Sequence, residues 1–401
     1  VTIPSVCHII TKLELGGAQQ NTLFTVSHLD KTRFLVSLVS GEAGILDGEA
    51  KALLGDDFHR LPELAREIHL VRDITAFFAL KRLLGRLKPT IVHTHSSKAG
   101  IIGRLAAWAA GIPIVVHSIH GYGFTPYQHP FHRWLLIAAE RLTARVTTRF
   151  FAVSTANRAQ GIAHRLFSED RCVVIRSGID LNAIRSAAVD TDAKKRELGF
   201  EPGQPLIGMV APMKPQKAPL DFIRAAALVH AAHPNVGIVL VGDGELRPVV
   251  EAEAHRLGFG PNLRLLGWRR DVPEILHCLA VFVLTSLWEG LPRVYLEALA
   301  AGVPVVGTRV DGAEEVISDG ENGYLLDPGD VAGLAKRVLT LLGDCDLRAV
   351  MGRRAAAGLS EEFDIYEMVR QQEREYDRLI ARSGLGPPMR KIAIPRRSAL
   401  Q

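Results

Sequence analysis

Short runs rich in β-branched residues alternate with longer helical stretches along most of this chain, and that alternation limits its fold more than any other feature. Strand, helix and strand in succession form the pattern of a parallel sheet covered by helices. SVCHII from Ser5, FLVSLVS from Phe34, TIVHTH from Thr90, PIVVHS from Pro113 and FFAVS from Phe150 make a first series. After CVVIRSGID from Cys172 the chain turns polar through VDTDAKKRELGFEPGQP, and a second series opens with LIGMVA from Leu206. It continues through VGIVLVGDG from Val236, LRLLGW from Leu263, VFVLTS from Val281 and PVVGT from Pro304. The expected fold class is α/β, with two Rossmann-like, doubly wound domains facing across a cleft. The expected boundaries are residues 1–198 for the first domain and 199–364 for the second. A helix over 365–384 is expected to cross back to the first domain. Beyond it, prolines and basic residues without an apolar period predict a disordered tail over 385–401.

At 401 residues the chain is too long for one ordinary core and fits two α/β domains. Its 47% hydrophobic and 23% charged residues exclude a disordered or collagen-like chain. Cys7, Cys172, Cys278 and Cys345 are far apart without a Cys-x-x-Cys pair, which argues against a zinc site or a disulfide framework and fits a reducing cytoplasm. The N-terminus enters a strand pattern within a few residues, without a signal-peptide pattern, so a cytoplasmic location is expected. ILHCLAVFVLTSLW from Ile275 falls short of the ~20 residues that span a bilayer and reads as buried core. The formal charge of +5 is dispersed and no recognition motif accompanies it, so nucleic acid is not an expected partner.

The stretch EGLPRVYLEAL from Glu289 carries the strongest chemical signal. Gly290 to Pro292 form a turn opening a helix, which leaves backbone N–H groups for an anion or a sugar hydroxyl. Glu297 lies about two turns into that helix, where it can accept from vicinal hydroxyls. A lone pair of glutamates is most often solvated. These follow a buried-looking strand, where ligands of open α/β sheets sit.

EGLPRVYLEALAAGVPVVGT closely resembles the signature of the family 4 glycosyltransferases, retaining enzymes of GT-B fold. LELGGAQ ending at Gln19, VHTHSSKAG from Val92, SIHGYGF from Ser118, SGID from Ser177, KPQKAP from Lys214 and GDGEL from Gly242 appear in the family's order over nearly the whole chain. The resemblance implies a sugar nucleotide donor bound by the second domain and an acceptor presented by the first. Glu297 would hold the donor ribose. Glu289, with Gly290, Leu291, Pro292, Arg293 and Val294, would face the donor sugar and phosphates. Lys217 matches the lysine that neutralises the departing diphosphate, a task suited to a compact cation. His120 matches a histidine beside the reacting sugar, and the expected catalytic residues are His120, Glu289 and Lys217. Gly16 and Gly17 stand after the first strand, where backbone amides can approach phosphate.

The chain departs from the family where an arginine normally stands five residues before the lysine: Pro212 occupies that place and donates no hydrogen bond. Lys214 and Arg293 are the two candidate replacements, and Ser177 stands where the family often has asparagine. Trp268 is a further candidate beside the nucleotide base, and Glu315 is another near the donor. His93 and His95 alternate onto one face, with a structural or acceptor-side role preferred over metal. The triplets Asp190-Thr191-Asp192 and Asp344-Cys345-Asp346 read as solvated, and GDGEL reads as a tight strand-to-helix turn. No metal or cofactor is expected, and the nucleotide sugar is a co-substrate. FHRWLLIAAERLTARVTTRFF from Phe131 mixes aromatic residues with Arg133, Arg141, Arg145 and Arg149. That mixture suits a helix resting on anionic lipid at the inner face of the membrane as well as one packed on the core.

The resulting expectation is a retaining hexosyltransferase acting on a sugar or lipid-linked acceptor. The alternatives are a nucleotide-sugar epimerase and, because of Pro212, a non-catalytic nucleotide-sugar-binding partner.

Overall fold

The structure, a computed structural model, describes residues 3–384. The first sheet is wholly parallel: β1 (Ser5–Lys12), β2 (Leu35–Glu42), β3 (Phe58–Arg60), β4 (Ile91–His95), β5 (Ile114–Ile119), β6 (Arg149–Ala152) and β7 (Cys172–Val174), in the order β3-β2-β1-β4-β5-β6-β7. The second contains β8 (Leu206–Val210), β9 (Gly237–Val241), β10 (Leu263–Gly267), β11 (Val281–Leu284), β12 (Val305–Thr308) and β13 (Gly323–Leu326), also all parallel, in the order β10-β9-β8-β11-β12-β13. Helices cover both faces, which is why central strands such as GIVLV of β9 are buried at every position and show no alternation. The edge strands β3 and β13 are absent from the sequence reading. Three or four residues are too short to display a period.

Strand order reverses between β1 and β4 in one sheet and between β8 and β11 in the other. The crevice outside the carboxyl ends of the strands at such a reversal is where open α/β sheets bind ligands. Here the two crevices face each other.

The domain division differs from the one expected at residue 198. Ile179, Leu181, Ile184 and Leu198 belong to the same apolar core as Leu206, Phe222 and Leu296 of the second domain. The core therefore divides the chain near residue 178. The polar composition of this segment hides a few widely spaced apolar anchors, and those anchors decide where it packs. At the other end, helix Ile365–Ser383 buries Ile365, Met368, Val369, Tyr376, Leu379 and Ile380, spaced by three and four residues so that they share one face. That face packs with Val6, Phe34, Ile91, Val116 and Phe151 of the first domain. The expected tail over 385–401 lies outside the described residues.

Candidate active site

Four loops at the carboxyl ends of β1, β5, β8 and β11 bring the expected residues together. Gly16 and Gly17 lie after β1, at the start of helix Gly17–His28. His120 directly follows β5, Lys217 closes the turn Pro215–Lys217 after β8, and Glu289 stands in the loop after β11. All five line one cleft of about 820 Å³, together with Trp268, Leu291, Pro292, Arg293, Val294 and Glu297. Gly290 is where the two domains meet backbone to backbone: a Cβ there would lie 2.4 Å from the His120 carbonyl oxygen. Gly121 faces it with a φ of 121°, so both positions require glycine.

Glu289 is buried, and a buried charge is tolerated only when paired and hydrogen-bonded. Lys217 donates to its Oε1, Ser286 Oγ donates to the same oxygen at 2.6 Å, and Gln216 Nε2 donates to Oε2 at 3.5 Å. The ammonium of Lys217 is thus held at a fixed place on the cleft wall. Glu297 accepts from Arg293 at 3.2 Å, and Arg293 also donates to Gln20 Oε1 at 2.9 Å, which ties the second domain to the helix after β1.

Pro212 lines the cleft, and of its two candidate replacements only Arg293 does so. Lys214 donates across the domains to Glu14 Oε2 at 2.9 Å. Glu315 is not part of the cleft lining. Its carboxylate accepts from the Ala156 N–H at 3.1 Å, at the start of helix Thr155–Ala163, and pairs with Arg176. A helix N-terminus attracts a carboxylate, so here it clamps one domain to the other. Sequence reasoning missed Gln20, Asp180, Arg269 and Arg270, which all line the cleft. Arg269 and Arg270 follow Trp268 in the loop after β10, and their position at a strand's carboxyl end was the available signal.

His120 is pushed down to about 4 by burial and is therefore neutral at physiological pH. His95 lies behind it rather than on the cleft wall, with its Nδ1 3.1 Å from His120 Nε2. His93 and His95 do share a face, and His8 joins them from β1, where it pairs with His93 in register. Their ligand atoms lie within 4.8 Å of one another. The donor set fits a metal poorly, because both nitrogens of His93 and of His95 and the Nδ1 of His8 already have partners. His93 bonds Tyr376 and Ser118, and His95 bonds His8 and His120. The two acidic triplets have a structural role at their first residue. Asp190 accepts from the Ala193 N–H at 2.9 Å and Asp344 from the Leu347 N–H at 2.8 Å, so each caps a helix.

The Gly16 N–H donates to the Glu14 carbonyl at 3.0 Å, so the arrangement combines a fixed cation, the backbone amides that open helix Gly17–His28, a carboxylate set in a helix and a neutral imidazole. It can bind a diphosphate, a vicinal diol and a sugar ring side by side. The family model described as "Glycosyl transferases group 1" matches residues 190–357, and "Glycosyl transferase 4-like domain" matches residues 16–178. The chain is 32% identical over 375 residues to the Escherichia coli UDP-Gal:alpha-D-GlcNAc-diphosphoundecaprenol alpha-1,3-galactosyltransferase, across 91% of this chain and 94% of that one. It is 26% identical to the Staphylococcus aureus capsular polysaccharide biosynthesis glycosyltransferase CapM, across 80% of this chain and 87% of that one. The crystal structure of Anabaena HepE in complex with UDP-glucose superposes with a TM-score of 0.77 over 93% of this chain and 99% of that one, at 21% identity, and so bears on the fold alone. Both halves match, the site lies where the two sheets require it, and similarity runs nearly end to end: this chain is a glycosyltransferase that belongs to the family 4 enzymes and has the GT-B fold.

Proposed function

We propose that this enzyme moves a hexose from a uridine diphosphate sugar to a hydroxyl of a lipid-linked envelope glycan, with retention at the anomeric carbon and without a metal cofactor. The Lys217–Glu289 pair carries the reading, because it sets one oriented cation on the wall of the cleft that the glycine pair and Glu297 also line. Glu297 accepts from the ribose hydroxyls, while Lys217 and the amides opening helix Gly17–His28 take the diphosphate, which the missing side chains of Gly16 and Gly17 let come close. His120 and Glu289, with the Gly290 to Pro292 turn, orient the hexose. Transfer breaks the bond from the anomeric carbon to the diphosphate oxygen and forms one to the acceptor oxygen. The acceptor's proton passes to the departing diphosphate. Negative charge grows on that diphosphate, where a preorganised cation is worth more than in water. Domain closure excludes water before transfer.

The uridine nucleotide and the lipid-linked acceptor follow the activity for which the Escherichia coli relative is named. Helix Pro130–Ala144 supports contact with an anionic membrane. Phe131, Trp134 and Leu135 are exposed toward its start, and Arg141 and Arg145 are exposed near its end. Helix Leu70–Leu87 adds Leu70, Val71, Ile74 and Phe78, exposed toward its own start. Exposed apolar patches of this kind mark interaction surfaces. No described helix is long and apolar enough to cross a membrane.

Purified protein challenged with a panel of nucleotide diphosphate sugars tests this reading, with binding followed by thermal shift, nucleotide diphosphate release by coupled assay, and EDTA as control. One uridine diphosphate hexose that binds and is consumed, with release unaffected by EDTA, is the expected result. Conversion of the donor to its epimer without an acceptor would instead identify an epimerase. Binding without release, even with a membrane extract as acceptor source, would favour the non-catalytic alternative that Pro212 raises. Absence of binding to every donor would remove the site assignment.

A further inference from the structure

Two buried histidines continue the line of His120 into the first sheet. His120 Nε2 lies 3.1 Å from His95 Nδ1, and His95 Nε2 lies 3.0 Å from His8 Nδ1. His8 comes from β1, His95 ends β4 and His120 follows β5, so three neighbouring strands assemble the line. The fourth histidine of the cluster stands apart from it, because His93 uses both ring nitrogens on Tyr376 and Ser118.

A neutral imidazole carries one N–H and one bare nitrogen, so each link needs a donor on one side and an acceptor on the other. Burial keeps all three rings neutral: it pushes His8 down to about 3 and His120 to about 4, and holds His95 well below its ordinary value. Only two proton arrangements then satisfy both links. In the first, His8 Nδ1–H donates to His95, His95 Nδ1–H donates to His120 Nε2, and His120 carries its own proton on Nδ1. In the second, every bond is reversed and the buried end of the line, His8 Nε2, carries a proton. That nitrogen is buried and has no partner. Orphaned buried N–H groups are rarer than under-satisfied acceptors, which selects the first arrangement.

We propose that His8 and His95 are positioning residues that lock His120 in its Nδ1–H tautomer, so that it meets the transferring hexose or its phosphate as a hydrogen-bond donor. This rests on the reading of His120 as a contact to the donor sugar. The line works in one direction: each ring lends its neighbour a defined proton, and only the outermost proton is offered to the substrate.

Long-range proton–nitrogen spectra of histidine-labelled native protein read the tautomer directly, with His120→Gln used to assign the resonance. Nδ1 of His120 is expected to be protonated and Nε2 bare. His95→Leu removes the donor to His120; the expected result is a mixture of tautomers and a kcat lower by about tenfold to a hundredfold, the scale seen when a hydrogen-bond partner that orients a metal-ligating histidine is lost, with donor KM and Kd unchanged. His95→Asn places an amide N–H where Nδ1–H stood and is expected to recover most of that turnover. His8→Leu, one link further away, moves both readouts in the same direction by less. A native spectrum with the proton on Nε2 overturns the proposal, and so does wild-type kcat in a folded His95→Leu protein while His120→Ala is crippled. Should His120→Ala itself turn over normally, the placement of His120 in the site fails, and the tautomer spectrum still reports on the line.

Discussion

Lys217 and Glu289 neutralise each other on the cleft wall, so the cation is ordered before any nucleotide arrives. Removing one partner of such a buried pair strands the other charge, at about 3–5 kcal/mol. Lys217→Met is therefore expected to lower the melting temperature as well as to reduce kcat by about a hundredfold or more, the scale of losing one preorganised charge contact. Unchanged melting and turnover would sink the role. Glu297 is different, because it stands on a helix and is held by Arg293 from four residues before. In the proposed ribose-binding role, its loss removes hydrogen bonds made equally in ground and transition states. Glu297→Ala should raise the donor Kd by about tenfold to a hundredfold, in keeping with roughly 1.5–3 kcal/mol for a charged hydrogen bond, and leave kcat nearly unaltered. Calorimetry beside steady-state kinetics separates these outcomes, and a drop in kcat with unchanged Kd would contradict the assignment. Glu289 and Glu297 were legible in the sequence because one continuous turn and helix carries both. Glu315 was not, because its partners Ala156 and Arg176 come from another part of the chain.

At the scale of the element, the acidic triplets show how a short motif changes meaning once its helix is seen. Asp-x-Asp suggests a cation site on paper, yet Asp190 and Asp344 each satisfy a backbone N–H that a helix start leaves open. Asp344→Ala is expected to destabilise the protein by about 1 kcal/mol, the usual contribution of a cap, while leaving donor binding and turnover intact. Urea unfolding with a parallel activity assay checks this, and lost activity without lost stability would restore a functional reading of the triplet. The strands of the central sheets were legible because they are apolar throughout and bounded by turns. The edge strands β3 and β13 were not, since their few residues leave no pattern to detect.

For the whole molecule, the interior of the first domain holds five histidines that burial keeps neutral: His8, His93, His95, His117 and His120. Below an ordinary histidine value of about 6.5 the unfolded chain takes up protons that the folded chain refuses. Stability is thus expected to be fullest above pH 6.5 and to fall as pH drops toward about 4, where His120 begins to accept its proton in the folded state. Thermal melts at matched ionic strength measure this, and a flat melting temperature between pH 7 and 4.5 would show that these rings are not kept neutral. The same domain depends on helix Ile365–Ser383, whose apolar face closes a core begun at Val6. Its strong three- and four-residue spacing made the helix legible, but no local pattern states which core it covers.

Two parallel doubly wound sheets and the glutamate turn after a buried strand were determined by the sequence itself, because each depends on spacing over a few residues. Tertiary structure alone decided that Lys214 meets Glu14, that Arg293 reaches Gln20 and that His8 stands behind His95 and His120. Those partners lie 200, 273 and 87 residues apart. Contacts over such separations follow from strand order and from how two rigid sheets pack, and neither is written in local periodicity.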